Sequence, residues 1–225
     1  LTMPLRATRA CFGFWLASER ERVDLMRIYG AGNLKDGAAG DQGDARAYGD
    51  GLRQRLVTFA DIDGLADDSF RFWVDSRPDE ARVFLDSGAF SAWKSGEPIK
   101  DWSEYFRWAD EWLHHPGCDF AIIPDVIDGD ETANNALLAK WHQKVGKRMQ
   151  FRGAPVWHLH ESLQRLEYLS VTWPIIALGS SGEWPNPGTA KWWRRMAEAM
   201  EVCCDENGRP NCKLHGLRML DPAIF

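Results

Sequence analysis

The feature that most limits what this chain can fold into is a series of short apolar runs, each halted by an acid, a histidine, a glycine or a hydroxyl. Val83-Phe84-Leu85 stops at Asp86-Ser87-Gly88-Ala89-Phe90-Ser91, and Phe120-Ala121-Ile122-Ile123 stops at Pro124-Asp125. Ala154 to Leu159 carries His158 and runs on to His160, and Ile175 to Leu178 empties into Gly179-Ser180-Ser181-Gly182. Runs of this length bounded by turn residues read as strands buried on both faces. Counting weaker runs at 25–30, 55–60 and 213–217, seven strands are predicted. Between strands, Trp102, Tyr105, Phe106, Trp108, Ala109 and Trp112 recur at spacings of three and four, which predicts an amphipathic helix. Further helices are predicted from about Glu131 to Arg148 and from about Thr189 to Cys203.

Strands alternating with helices imply parallel pairing through right-handed crossovers. The expected fold class is therefore α/β, as a single (β/α)8 TIM-barrel-like domain over residues 1–225. Such a barrel occupies about 250 residues; with 225 residues, 44% of them apolar, the chain can fill its core. The eighth strand is missing or truncated, because the chain stops at Asp221-Pro222-Ala223-Ile224-Phe225. Residues 33–51, rich in Gly and Asp, read as a flexible loop. Residues 1–24 are too irregular to assign, and the acidic stretch 61–80 holds one apolar patch at Phe70 to Val74.

In a parallel barrel the C-terminal strand ends share one face, so Asp86, Asp125, His158 and the 179–182 loop are expected to converge. Their chemistry suits a purine. A carboxylate such as Asp125 can accept from a guanine-like N1–H and exocyclic amine in a bidentate, charge-assisted contact. Backbone N–H groups of a Gly-Ser-Ser-Gly loop can approach a carbonyl oxygen closely, since glycine has no Cβ. A histidine at 158 can hydrogen-bond a purine edge and titrate near neutral pH.

Each of these residues also has a plainer reading. Asp86 followed by Ser and Gly can simply shape a turn or cap a helix. Asp125 with Asp128 and Asp130 can be a solvated acidic loop or an oxygen-ligand cation site, although the calcium-loop spacing is absent. His158 and His160 can be paired metal ligands or core histidines. Gly30 and Gly32 lack the third glycine of a dinucleotide loop and the Lys-Ser/Thr pair of a P-loop. Most of the twelve tryptophans sit at helical spacing, which argues for packing over a base-stacking platform.

A net charge of −6 excludes coating nucleic acid through bulk positive charge, so a nucleic-acid substrate needs a local basic patch. Arg148, Arg152, Arg194, Arg195 and Arg218 are candidates for phosphate contacts. Five irregularly spaced cysteines do not form a secreted disulfide framework, no charged-then-apolar leader opens the chain, and no run reaches the roughly 18 to 20 apolar residues of a membrane span. The expected setting is the cytosol, with reduced thiols and no membrane partner.

Asp86 to Ser91 resembles the Asp-Ser-Gly-Gly-Phe-Gln signature of the tRNA-guanine transglycosylases, and is more similar still to their phage and bacterial relatives that insert 7-deazaguanines into DNA. Family-like stretches follow in the same order at Ile123-Pro124-Asp125-Val126, Pro155 to Glu161, Ala177 to Glu183 and Lys213 to Arg218, so the resemblance spans roughly residues 82 to 218. It implies exchange of guanine for a 7-deazaguanine in nucleic acid, DNA rather than tRNA, within a bacterium or a phage-infected host. Asp86 would be the general acid/base, and Ser87, Gly88, Phe90, Asp125, His158, Gly179, Ser180, His215 and Gly216 would form the base site, with His158 where the tRNA enzymes usually carry glutamine.

The family exchanges bases through a covalent intermediate on an aspartate of the eighth strand. No residue here matches that aspartate; Asp221 is the nearest acid, but it precedes a proline. Either the chain is a piece of a longer protein or this member has lost the exchange step. The tRNA enzymes hold zinc on three cysteines and a histidine. Cys203, Cys204, Cys212 and His215 are the nearest approach here, but their spacing departs from that of a usual ligand pair, so ordinary thiols and no cofactor are expected. A homodimer is left open. Two rivals remain: a glycoside hydrolase using Asp86 and Asp125 as its carboxylate pair, and a non-catalytic module that binds purine or nucleic acid.

Overall fold

From Gln54 onward the strands form where the apolar runs place them. The computed structural model describes residues 30–31, 54–59 and 82–219. Its elements run β1 (Gly30–Ala31), β2 (Gln54–Thr58), β3 (Arg82–Asp86), α1 (Ala89–Lys94), α2 (Ser103–Leu113), β4 (Cys118–Ile122) and α3 (Glu131–Lys144). They continue with β5 (Gly153–Ala154), β6 (Val156–His158), α4 (Leu163–Thr172), β7 (Ile175–Gly179), α5 (Ala190–Cys203) and β8 (Lys213–Leu217). One sheet has the order β1-β2-β3-β4-β5 and the other β6-β7-β8. The pairs β1–β2, β2–β3, β3–β4, β6–β7 and β7–β8 are all parallel, which makes this an α/β protein built on parallel sheets. Most of the expected first strand, the 1–24 segment, the 33–51 loop, the 70–74 patch and Asp221 lie outside the described residues.

The described residues belong to two compact units. The first holds 30–31, 54–59, 82–124 and 136–153, and the second holds 125–135 and 154–219. In the first, Val83, Phe84 and Leu85 of β3 are all buried, as a strand covered on both faces requires. A register shift between Val83 and Phe84 brings Phe84 opposite Phe120 of β4, and their rings stack 5.0 Å apart. Helix α2 buries Tyr105, Phe106, Ala109, Trp112 and Leu113, one face at a spacing of three to four. Its Tyr105 hydroxyl donates to the Ile122 carbonyl at 2.5 Å, tying that face to β4. Trp102 and Trp112 are buried and Trp108 rests against Phe59 and Tyr105, so these tryptophans pack the core.

In the second unit all five residues of β7 are buried, and so are all three of β6. Ser162 and Thr189 cap α4 and α5, accepting from the amides of Arg165 and Trp192. Strand β8 is only partly covered.

Three local differences from the sequence expectation have physical causes. The fifth expected strand divides at Pro155, which has no amide to donate, although its carbonyl accepts from Ala177 at 2.9 Å. Helix α3 ends at Lys144, short of Arg148, and the Gly146 amide turns instead to the Asp110 carboxylate at 2.9 Å. Helix α4 is not marked by the apolar pattern, because its buried face contains Arg165 and Ser170 while Tyr168 and Val171 face water. Among the described residues no helix is long and apolar enough to cross a membrane.

Candidate functional site

The polar residues that end β6 and β7, together with the segment after Pro124, form a hydrogen-bonded cluster within the second unit. Asp125 follows Pro124. Beyond it the chain turns through a Gly129 N–H to Val126 carbonyl bond, and Asp130 then caps α3 by accepting from the Ala133 amide at 2.8 Å. Asp130 is thus a helix cap, whereas Asp125 turns inward and is 8% exposed.

His158, the last residue of β6, is 2% exposed, and its Nε2 lies 2.8 Å from Asp125 Oδ2. A carboxylate oxygen accepts, so Nε2 carries the hydrogen in that bond. The other ring nitrogen, Nδ1, is the one buried side-chain nitrogen or oxygen among the described residues that has no hydrogen-bond partner. Gly179 lies beside it: a Cβ there would stand 2.8 Å from Nδ1 and 3.0 Å from Cε1. Glycine at 179 is what lets the imidazole take this position, packed so closely against the backbone that a Cβ would clash with Nδ1.

His160 is fully engaged by contrast. Its Nε2 is 2.9 Å from the Gly129 carbonyl, to which it donates, and its Nδ1 is 2.8 Å from Ser181 Oγ. The two imidazoles lie nearly parallel, 5.5 Å apart. Both nitrogens of His160 are occupied, and among the described residues no group of three or more His, Cys, Asp or Glu side chains is placed to hold a metal.

Beneath the Asp125–His158 pair lies a second layer. Glu161, 3% exposed, accepts from the His158 amide at 2.8 Å and from Arg165 at 2.7 Å on Oε2, and from Asn134 Nδ2 at 2.9 Å on Oε1. Asn134 Oδ1 accepts from the Val126 amide at 2.7 Å. Arg165 also donates to the Val156 carbonyl and to Asn135. Burial pulls its guanidinium below the usual range, and the carboxylates of Glu161 and Glu131 offset part of that. Asn134, Glu161 and Arg165 carry no role in the sequence analysis. Only Glu161 leaves a sequence signal, as an acid three residues beyond a buried histidine.

Other expected site residues have structural work of their own. Ser180 Oγ accepts from the Trp192 indole N–H at 2.9 Å, which ties the 179–182 loop to α5. His215 and Gly216 sit in β8. Cys203 is buried at the end of α5 and Cys204 joins an antiparallel bridge with Pro210; burial pushes the Cys203 thiol up to about 12 and that of Cys212 up to about 11. In the first unit, Asp86 Oδ2 accepts from Thr58 Oγ1 at 2.6 Å and from the Gly88 amide at 3.3 Å. Gly88 has φ 77°, the left-handed conformation this turn requires. Ser87 Oγ accepts from the Ala89 amide, and the Phe90 ring lies 5.5 Å from that of Trp93. Asp86 is therefore the hub of the turn between β3 and α1.

The arginines divide in the same way. Arg152 donates to the Leu113 and Asp119 carbonyls. Arg195 donates to the Leu159 and Glu161 carbonyls, pairs with Glu198 and lies over the Trp157 and Trp184 rings. Arg148, Arg194 and Arg218 are exposed.

Burial pushes the His215 imidazole down to about 4 from 6.5. The folded state therefore favours the neutral ring, and its contribution is complete above pH 6.5 and lost as the pH falls through 4. The residue keeps part of its surface in water, so a loss of about 3 kcal/mol is an upper limit. Urea midpoints measured between pH 7 and 4 are expected to fall less steeply in His215→Gln than in the parent; identical profiles would show that the ring titrates as it does in the unfolded chain.

Fold and site together define an α/β protein on parallel strands with a buried carboxylate–imidazole pair beyond the strand ends. No protein-family model matches the chain, and no curated protein matches it.

Proposed function

We propose that this protein is a transglycosylase-like base-exchange protein on a (β/α)8-type barrel, replacing guanine by a 7-deazaguanine in nucleic acid. The observation that carries this reading is Nδ1 of His158, the residue bonded to Asp125 at the end of β6: a buried nitrogen left without a hydrogen-bond partner. A buried polar atom without a partner costs about 1–3 kcal/mol, which a ligand N–H would recover. Asp125 Oδ2 accepts from His158 and, as a carboxylate oxygen, has capacity for a second bond, so reading of a base is shared between the pair.

In the exchange itself, a carboxylate of the protein bonds to the anomeric carbon as the bond to guanine breaks. The departing base takes a proton from a general acid, and the steps reverse with the deazaguanine. By resemblance Asp86 is that acid/base, and the nucleophile would be the aspartate the family carries on its last barrel strand, which no residue of this chain matches. A target guanine in a duplex is flipped out at a cost of a few kcal/mol. Exposed Arg148 and Arg194 are the candidates for phosphate contacts. The cytosol of a bacterium or a phage-infected cell is the proposed setting. Zinc is not part of the proposal.

Calorimetric titration with guanine and 7-cyano-7-deazaguanine tests base recognition directly. Binding is expected to the parent chain and to disappear in Asp125→Ala; if neither base binds the folded parent, the proposal fails. Labelled guanine offered with DNA and with tRNA tests the choice of substrate, and incorporation into tRNA alone reverses it. A purine-binding module without exchange is the second reading, favoured by the engagement of Asp86 in its own turn.

A further inference from the structure

We propose that Asn134 and Glu161 are positioning residues which set the Asp125–His158 geometry through a hydrogen-bond bridge of defined polarity. The inference goes beyond base exchange, since it concerns the pair itself and holds whichever ligand the pair serves.

The bridge joins two backbone points that are far apart in the chain. At one end the Val126 amide, one residue past Asp125, donates to Asn134 Oδ1 at 2.7 Å. At the other end the His158 amide donates to Glu161 Oε2 at 2.8 Å. Asn134 Nδ2 closes the link by donating to Glu161 Oε1 at 2.9 Å. Both side chains are nearly inaccessible, at 4% and 3% exposure. The 2.8 Å contact between His158 and Asp125 spans the same two backbone points. A shift of about 1 Å at either end would carry it out of hydrogen-bond range.

The residue types follow from the polarity. Asn134 must accept from an amide and donate to a carboxylate at once, which a short carboxamide does and a carboxylate cannot. Glu161 must present two acceptor oxygens, one to Asn134 and the other to both the His158 amide and Arg165. Stability alone is a weak reason to bury this ion pair, since well-packed apolar replacements of such pairs are often as stable. What an apolar replacement would not reproduce is the set of directed bonds that fixes His158.

Because the bridge is polar in a defined sense, it can be reversed. Asn134→Asp sets carboxylate against carboxylate. Glu161→Gln sets one amide N–H2 against another, or turns its oxygen away from the His158 amide. With both changes together, the new carboxamide at 161 keeps its oxygen on the His158 amide and Arg165 and donates to the new carboxylate at 134, which still accepts from Val126. The net charge of the two positions is unchanged.

The readout is the His158 Nε2–H proton, observed by NMR in the full chain with labelled histidine and without added ligand. The parent is expected to show it as a downfield, slowly exchanging resonance bonded to Asp125. Each single variant is expected to lose or shift it, and Asn134→Asp/Glu161→Gln to restore it. A folded single variant with the resonance unchanged overturns the proposal. So does a double variant that fails to fold or folds without the resonance, and this holds even when a single variant does not fold. Guanine affinity measured on the same four proteins is expected to fall roughly 10-fold in the singles and recover in the double. If none of them binds guanine while the resonance follows the expected pattern, base exchange is refuted and the positioning role stands.

Discussion

Glu161→Ala is expected to lower stability by about 3–5 kcal/mol, the cost of removing one member of a buried ion pair. Truncation takes the paired carboxylate from the Arg165 guanidinium, whose remaining hydrogen bonds go to the Val156 carbonyl and Asn135. It also takes the acceptor from the buried His158 amide and from Asn134 Nδ2. Urea denaturation followed by far-ultraviolet circular dichroism measures the loss. Glu161→Ala/Arg165→Met is expected to recover part of it, because the uncompensated charge then leaves with its partner. A single-variant loss below about 1 kcal/mol would show that water reaches Arg165 and that the pair is worth no more than a surface pair.

Trp141→Ala is expected to cost about 3–5 kcal/mol in the first unit, through lost transfer free energy and the cavity left behind. Trp141 is fully buried, its indole N–H donates to the Gln150 carbonyl at 3.0 Å, and its ring meets Phe106 edge-on at 6.1 Å. Gly153 makes the fit possible: a Cβ there would stand 2.7 Å from the ring. The cavity therefore opens against the backbone of β5, where little can move in to fill it. Trp141→Phe keeps a ring but loses the indole bond, and is expected to cost less than the alanine change. Equal losses for the two would place the energy in the hydrogen bond, and the same denaturation experiment separates these outcomes.

The ease of reading each element tracks its chemical consistency. Strands β3 and β7 are legible because burial on both faces demands an unbroken apolar run, and both runs stop where the strand stops. Helix α2 is legible because all five of its inward positions are apolar. Helix α4 is hidden because Arg165 faces inward, where a charge normally marks the outer face, and the ion pair that permits this is made with Glu161. Pro155 divides a strand whose apolar pattern runs straight through it.

At the site, sequence marks Asp125, His158 and Gly179 as polar or small residues where apolar runs end. It attaches Asp86 to a turn as readily as to catalysis, and the bonds from Thr58 and Gly88 supply the turn. It does not single out Asn134, because a buried asparagine is spelled the same way as an exposed one.

By itself, then, the sequence determined the α/β class and the residues standing at the strand ends, since both follow from local patterns of burial and interruption. Only the tertiary structure decided that Asp125 meets His158 across 33 positions of chain, that Nδ1 is buried without a partner against Gly179, and that Asn134 and Glu161 hold the pair. Those are hydrogen bonds between distant segments, and their direction and length depend on where folding brings each backbone, which no local pattern of residues encodes.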